Sequence, residues 1–311
     1  MASLPARLDI IGQAAAGHPF AGSLSAGQAV RIFTGAPMPA GSDTVIIQED
    51  TTREGNFVYI KDCVPDPGHV RPSGGDFTAG AEIIEASTHL LPRHLALAAA
   101  MGHSSLKVHR KPLVAVLATG DELVEPSTTP GPGQIVASNS YALAAMVASA
   151  GGEARLLGIA RDTLESLQQK LSLASGADIV YTIGGASVGE HDLVESALTK
   201  SGFQLDFWKI AMRPGKPLMF AQRSHQRAIG LPGNPVSAII CAHIFLLPLI
   251  AKLSGRPSHE TDAIEARLAA PLDRNGPRQH YMRARLTRSA DGIAATPAES
   301  QDSSLLSILA N

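Results

Sequence analysis

Apolar residues fall along this chain in two rhythms. Residues 113–118, 154–160 and 177–182 are short, nearly continuous apolar runs, the pattern of strands buried on both faces. Residues 141–150, 164–173 and 192–198 instead repeat their apolar positions at helical spacing. Strand and helix therefore alternate through residues 113–256, which predicts a mostly parallel sheet with helices on both faces. Residues 204–211 form one more strand candidate, of imperfect alternation. Residues 235–253 read as one long apolar helix, with Asn234 positioned to cap it and Pro235 in its first turn.

The flanking segments have a different texture. Residues 1–80 read as a β-rich domain, with 45–47 and 57–60 as short strands. Gly and Pro clusters punctuate them: Gly35-Ala36-Pro37-Met38-Pro39-Ala40-Gly41, Pro65-Asp66-Pro67-Gly68 and Arg71-Pro72-Ser73-Gly74-Gly75-Asp76. Residues 81–112 carry an alanine-rich helix over 91–102, which Pro92 starts and Gly102 ends, and a linker over 107–112. Residues 257–311 are weakly β-like, with 266–268 and 282–286 as strand candidates, and read as an incomplete C-terminal β domain. The expected fold class is multidomain α/β and β: a β-rich N-terminal domain, a central three-layer α/β domain over 113–256, and a partial C-terminal β domain.

Composition narrows the function classes. At 311 residues the chain is long enough for two or three domains, and 44% hydrophobic residues with 29 Gly and 21 Pro describe a turn-rich globular protein. A formal net charge of −2 supplies no overall basic field for nucleic acid, so any anion site must be local. Cys63 and Cys241 lie far apart in sequence and suggest neither a disulfide framework nor a zinc site. Residues 1–20 lack the pattern of a signal peptide, and no apolar run approaches a membrane span; residues 244–251 are too short and contain Pro248. The expectation is a cytoplasmic protein with no nucleic-acid or membrane partner.

Candidate chemistry gathers where strands end. The third apolar run empties into Ile183-Gly184-Gly185-Ala186-Ser187-Val188-Gly189-Glu190-His191-Asp192 and then into a helix. A strand, a glycine turn and a helix start make an anion site, because backbone N–H groups can approach a phosphate at the positive end of the helix dipole. The other strand ends carry Thr119-Gly120-Asp121-Glu122-Leu123, Arg161-Asp162, Met212-Arg213-Pro214-Gly215-Lys216-Pro217 and Leu231-Pro232-Gly233-Asn234-Pro235-Val236-Ser237. In an open parallel sheet, ligands bind at the carboxyl ends of the strands. Carboxylates beside phosphate-binding turns suit Mg²⁺, and Lys216 and Arg213 suit an oxyanion.

Each feature also has a plain structural reading. Asp162 with Glu165, and Asp192 with Glu195, fit helix capping boxes. Glu122 fits a solvated loop charge, Lys216 a surface lysine on a rigid turn, Ser237 a helix-start residue and His191 an exposed loop residue. No Walker loop, Rossmann spacing or Gly-x-Ser-x-Gly run is present. What favours the functional reading is that so many of these features fall at strand ends of one sheet, which capping does not require.

Together with Arg31-Ile32-Phe33-Thr34-Gly35-Ala36 and Gly41-Ser42-Asp43-Thr44-Val45-Ile46-Ile47-Gln48-Glu49-Asp50, these stretches resemble the molybdopterin molybdenumtransferase family, the MoeA-like proteins related to the gephyrin E domain. The resemblance implies a central domain of the molybdopterin-binding type. The implied reaction is insertion of molybdate into adenylylated molybdopterin, with release of AMP, by a Mg²⁺-dependent homodimer. It further implies Glu122, Asp162, Asp192 and Lys216 as catalytic positions, with Glu122, Asp162 and Asp192 as metal ligands. Thr34, Thr119, Gly120, Gly184, Gly185, Ser187, Arg213, Pro214, Pro217 and Ser237 are the implied substrate-binding positions, Thr34 coming from the β domain. A molybdopterin adenylyltransferase and acceptor molybdoenzymes are the implied protein partners. The family's Met-Asp-Gly-Tyr-Ala-type segment has no counterpart here, and the C-terminal domain stops early, so a chain truncated at both ends is expected. Ala186 stands where the family usually has valine. Two alternatives stay open. One is a molybdopterin adenylyltransferase, whose usual Gly-Gly-Thr-Gly turn differs from Gly184-Gly185-Ala186-Ser187. The other is a non-catalytic molybdopterin-binding scaffold.

Overall fold

The computed structural model describes residues 5–185, 193–256, 263–290 and 292–310. They fall into two compact units, Met1–Ile83 and Ile84–Asn311. The first unit is a four-stranded sheet of β1 (Ala6–Ala14), β2 (Gln28–Ile32), β3 (Thr51–Glu54) and β4 (Phe57–Ile60), in the order β2-β1-β4-β3. β1 is the strand that pattern reading misses. Its residues alternate strictly between an inward face, half-buried up to the fully buried Ala14, and an exposed face, yet small Ala and Gly positions dilute the signal. The ring of Phe20 lies against Gly12 and Gly22, where an added Cβ would sit 2.6 and 2.8 Å from it. The strand expected at 45–47 does not form: its residues are a loop leading into one 3₁₀ turn, Gln48–Asp50, and among the described residues no strand offers them a ladder.

The second unit opens with α1 (Pro92–Ala100), started by Pro92 as its sequence implies. Its main sheet contains β5 (Leu113–Thr119), followed by the short pair β6 (Leu123–Val124) and β7 (Ile135–Val136), then α2 (Asn139–Ser149) and β8 (Glu153–Ala160). The chain continues through α3 (Leu164–Ser172), β9 (Ile179–Ile183), α4 (Leu193–Lys200), β10 (Gln204–Trp208), β11 (Met212–Arg213), β12 (Met219–Arg223), β13 (Gln226–Leu231) and α5 (Pro235–Leu253). The order is β10-β12-β13-β9-β5-β8. β13, β9, β5 and β8 run parallel, whereas β10 and β12 are antiparallel additions at one edge. The expected strand over 204–211 stops at Trp208, since Lys209 turns into the left-handed region at φ 68°.

Strand alternation sorts the core into two layers. Val114 and Val116 pack with Leu143 and Val147 of α2 and with Ala238, Cys241, Leu246 and Ile250 of α5. Ala115 and Leu117 pack on the other face with Leu167 and Leu171 of α3 and Val194, Ala197 and Leu198 of α4. The continuous apolar runs of the sequence are thus strands covered on both sides. α2 leaves β5 toward one face and α4 leaves β9 toward the other, so a switch point lies at the carboxyl ends of these two neighbours.

α5 corrects one expectation. It runs through Pro248, so its 19 residues are long and apolar enough to span a membrane. A π turn at Ala242–Leu246 directly precedes Pro248, a place where the regular helical ladder can yield to a residue with no N–H. The apolarity has a local cause, because α5 carries part of one core layer. After it, β14 (Arg267–Leu268), β16 (Ala284–Ser289) and β17 (Gly292–Pro297) form a three-stranded sheet, and β15 (Gln279–His280) pairs with β11 of the central domain.

At the end of the sheet opposite the switch point, Asp178 ties the incoming linker to the strands. Its carboxylate, 8% exposed, accepts from Arg110 Nη1 and Nη2 at 2.7 and 2.5 Å and from the Leu113 N–H at 2.8 Å. The Arg110 hydrogen bonds hold the Asp178 carboxyl below the usual carboxylate range, opposing its burial. A depressed folded pKa contributes stability above the unfolded value of about 4, and that contribution is lost as pH falls through the lower folded value. Asp178→Asn is therefore expected to cost about 1–3 kcal/mol near neutrality. The gap to the parent should close in acid, as read by urea unfolding across pH. A gap that does not change with pH would remove the charge from the account.

Candidate active site

Turns at the switch point are packed too tightly for side chains. Gly184 has φ 94°, and a Cβ there would overlap the Thr119 carbonyl oxygen. Gly185 has φ 67°, and a Cβ there would lie 2.5 Å from Val194 and 2.8 Å from Thr119 Oγ1. Both positions need glycine for conformation and for space. Thr119, 2% exposed, donates from Oγ1 to the Ile183 carbonyl at 3.4 Å, while the Gly184 N–H donates to Leu231 at 3.0 Å. A Cβ on Gly233 would sit 3.7 Å from Gly184 Cα, so the turns after β5, β9 and β13 form one surface. Ser187 and Asp192, with Ala186 and His191, lie outside the described residues.

Acidic residues line the neighbouring edge of this rim. Glu122 folds its carboxylate over Gly120, where a side chain would collide with it. The Asp162 N–H donates to Asp121 Oδ1 at 3.2 Å, and Arg161 Nη1 donates to the Asp121 carbonyl at 2.9 Å, which joins the loops after β5 and β8. Asp162 is not the cap of α3: that role belongs to Thr163, whose hydroxyl accepts from the Ser166 N–H at 3.2 Å. The capping-box reading of Asp162 and Glu165 is thereby corrected. Glu122 and Asp162 are both exposed. Among the described residues, no three His, Cys, Asp or Glu side chains converge as a ready metal cluster. The carboxylates of Glu122 and Asp162 nevertheless have the donor chemistry of Mg²⁺, which takes one or two protein oxygens and completes its shell with phosphate and water.

A cleft of about 380 Å³ adjoins the Gly233 turn. Arg213, Pro214, Gly215, Lys216 and Pro217 form one wall, with a cis peptide between Arg213 and Pro214. Gly215, at φ 107°, lets this loop lie on α5: a Cβ would come within 2.5 Å of Cys241 Sγ and Met212 Cε. Burial pushes the Cys241 thiol up to about 12, so it acts as packing and not as a nucleophile. Ser237, buried in the first turn of α5, forms the floor beside Pro232 and Asn234. Asn234 holds the N-cap position as expected, but its side chain makes no cap bond and donates instead to Ser303 Oγ at 2.9 Å.

The far wall was not legible in the sequence. Arg278, Gln301, Asp302 and Ser303 come from the C-terminal segment. The Val236 N–H, in the first turn of α5, donates to the Ser303 carbonyl at 3.1 Å. Asp302 Oδ1 accepts from the Ser304 N–H and hydroxyl at 2.9 and 2.8 Å, which holds its carboxyl below the ordinary range. The cleft thus sets Arg213, Lys216 and Arg278, with a serine hydroxyl, against the one carboxylate of Asp302, a net cationic donor set for a tetrahedral oxyanion. Thr34, an exposed residue just after β2, belongs to the first unit.

A doubly wound sheet with glycine turns and a cleft lined by Arg213, Lys216 and Arg278 at its carboxyl rim defines an α/β domain joined to β domains. Comparison with known proteins narrows this class. Family profiles match residues 3–102 (MoeA N-terminal region, domain I and II), 115–252 (probable molybdopterin binding domain) and 265–311 (MoeA C-terminal region, domain IV). A molybdopterin molybdenumtransferase of Nostoc sp. is 40% identical over 287 residues, covering 90% of this chain and 66% of the relative. One from Bacillus subtilis is 31% identical over 312 residues, covering 99% and 73%. The solved molybdopterin biosynthesis moea protein from Pyrococcus horikosii superposes with a TM-score of 0.77 at 30% identity, covering 98% and 75%. The chain belongs to the molybdopterin molybdenumtransferase family. It spans 66% of the Nostoc relative and 62% of one from Haemophilus influenzae, less than two thirds of each.

Proposed function

We propose that the protein inserts molybdate into adenylylated molybdopterin and releases AMP. The observation that carries this reading is the continuity of three surfaces: the Gly184–Gly185 turn, the acidic edge of Glu122 and Asp162, and the cleft of Arg213, Lys216, Ser237 and Arg278. Lys216, Arg213 and Arg278 hold molybdate as an oxyanion, and Ser237 donates to one of its oxygens. Gly184 and Gly185, which carry no side chains, let the substrate phosphates approach the backbone of their turn closely. Thr119 and Gly120 shape the bed beneath them, while Pro214 and Pro217 fix the course of the lysine loop. Glu122 and Asp162, with Asp192, would hold Mg²⁺, which when bound offsets charge on the phosphoanhydride and on the departing AMP. The same reading makes the protein a cytoplasmic homodimer, with Thr34 contributed from the β domain. It hands its product to acceptor molybdoenzymes and takes its substrate from a molybdopterin adenylyltransferase.

The test is AMP release from adenylylated molybdopterin in the presence of molybdate and Mg²⁺. ATP consumption with molybdopterin would instead identify an adenylyltransferase, and binding without turnover a scaffold. A second measurement needs no turnover. Burial, reinforced by Arg213, Arg278 and Arg283, pushes the His280 pKa below its ordinary value, so the ring is neutral near pH 7. A bound dianion offsets those arginines and favours the imidazolium. Molybdate is therefore expected to raise the His280 midpoint in an NMR titration, and its affinity should strengthen as pH falls toward that midpoint. A midpoint indifferent to molybdate would take the oxyanion out of this cleft.

A further inference from the structure

A second cavity, of about 630 Å³, lies beside the acidic edge and takes no part in the roles above. Glu125, Pro126 and Ser127 form one side, and Val136, Ser138 and Tyr141 the other. It is tied to the rim twice. Glu125 follows Glu122 by three residues, just past β6, and Asn139, next to Ser138, donates from Nδ2 to the Gly233 carbonyl at 2.7 Å.

Its lining has a specific chemistry. Tyr141, in the first turn of α2, is 46% exposed, so much of its ring remains available. Its hydroxyl donates to Glu125 Oε2 at 3.0 Å. That bond orients the carboxylate against the cavity wall and leaves Oε1 with no hydrogen-bond donor among the described residues. Pro126 and Val136 supply apolar surface, and Ser127 and Ser138 supply hydroxyls. An aromatic face, apolar walls and an oriented acceptor suit a flat ring that carries N–H donors. An oxyanion fits poorly there, because Glu125 would repel it and no Lys or Arg lines the cavity.

We propose that this cavity is the subsite for an amino-substituted nitrogen heteroaromatic ring of the substrate. Tyr141 stacks on the ring and Glu125 accepts a hydrogen bond from its amino group. The proposal rests on the reading of the substrate as adenylylated molybdopterin, whose two ends, adenine and pterin, both carry that chemistry. With the cationic cleft and this cavity both joined to the Gly233 turn, the substrate would lie along the rim with its phosphates over the glycine turns.

The experiment is calorimetric binding of AMP, of 6-hydroxymethylpterin and of molybdate to the full chain and to Tyr141→Ala, Tyr141→Phe and Glu125→Gln. Tyr141→Ala and Glu125→Gln are each expected to weaken one of the two ring ligands about tenfold or more, with Tyr141→Phe intermediate and molybdate affinity unchanged. Which ring ligand responds identifies the end of the substrate that the cavity takes. The two ring ligands binding every variant as tightly as the parent would overturn the subsite while leaving the proposed activity standing. If the parent binds neither of them, the reading of the substrate falls as well.

Discussion

Lys216→Ala is expected to lower molybdate-dependent turnover by about 10²–10³-fold, the effect of removing one preorganised charged donor from a site. The loss should be concentrated in molybdate saturation, with pterin affinity nearly kept, because Lys216 lies in the cleft wall and not at the glycine turns. The loop itself should survive. Gly215 seats it on Cys241, and the Ile210 N–H donates to the Lys216 carbonyl at 2.9 Å; neither contact uses the lysine side chain. Melting temperature should therefore move little, and Lys216→Arg should recover part of the activity because it restores the charge but not the ammonium geometry. Unchanged molybdate saturation in Lys216→Ala would exclude this lysine from the site. The acidic edge offers a parallel comparison. Asp162→Asn should lose Mg²⁺-dependent AMP release at little cost to stability, since Thr163 and not Asp162 caps α3.

Gly184→Ala should damage both the fold and the site. Its φ of 94° costs an L-residue about 1–2 kcal/mol, and overlap of the new Cβ with the buried Thr119 strand end adds about 1–3 kcal/mol. Gly133 is the matched control: its φ is 77°, but nothing lies within 4 Å of an added Cβ. Gly133→Ala should pay the conformational cost alone and keep full activity, whereas Gly184→Ala should be less stable and nearly inactive. Paired denaturation curves and AMP-release assays read both quantities. Equal stabilities would mean that the turn relaxes freely and that its close packing is incidental.

The layered central domain was determined by sequence alone. Continuous apolar runs of about five to eight residues bounded by turn residues are too short for core helices and read as strands covered on both faces, and helical spacing between them supplies the covers. β5, β8, β9, α2 and α3 follow from that rule, as does the gathering of glycines, carboxylates and cations at strand ends. Tertiary structure decided what local pattern cannot carry. The segment 45–47 has strand residues but no strand partner among the described residues and stays a loop, while β1, diluted by small residues, becomes a strand because β2 and β4 flank it. Asp162 with Glu165 reads as the cap of α3 in sequence, and only the backbone path gives the bond to Thr163 instead. Arg278 and Ser303 lie far along the chain from Lys216 and share no local signal with it. They reach the cleft because β15 pairs with β11 and the Ser303 carbonyl accepts from the start of α5. Hydrophobic period acts over a few residues and is written in sequence; the meeting of distant polar groups depends on which backbone groups remain unpaired after the layers have packed, and only the fold determines that.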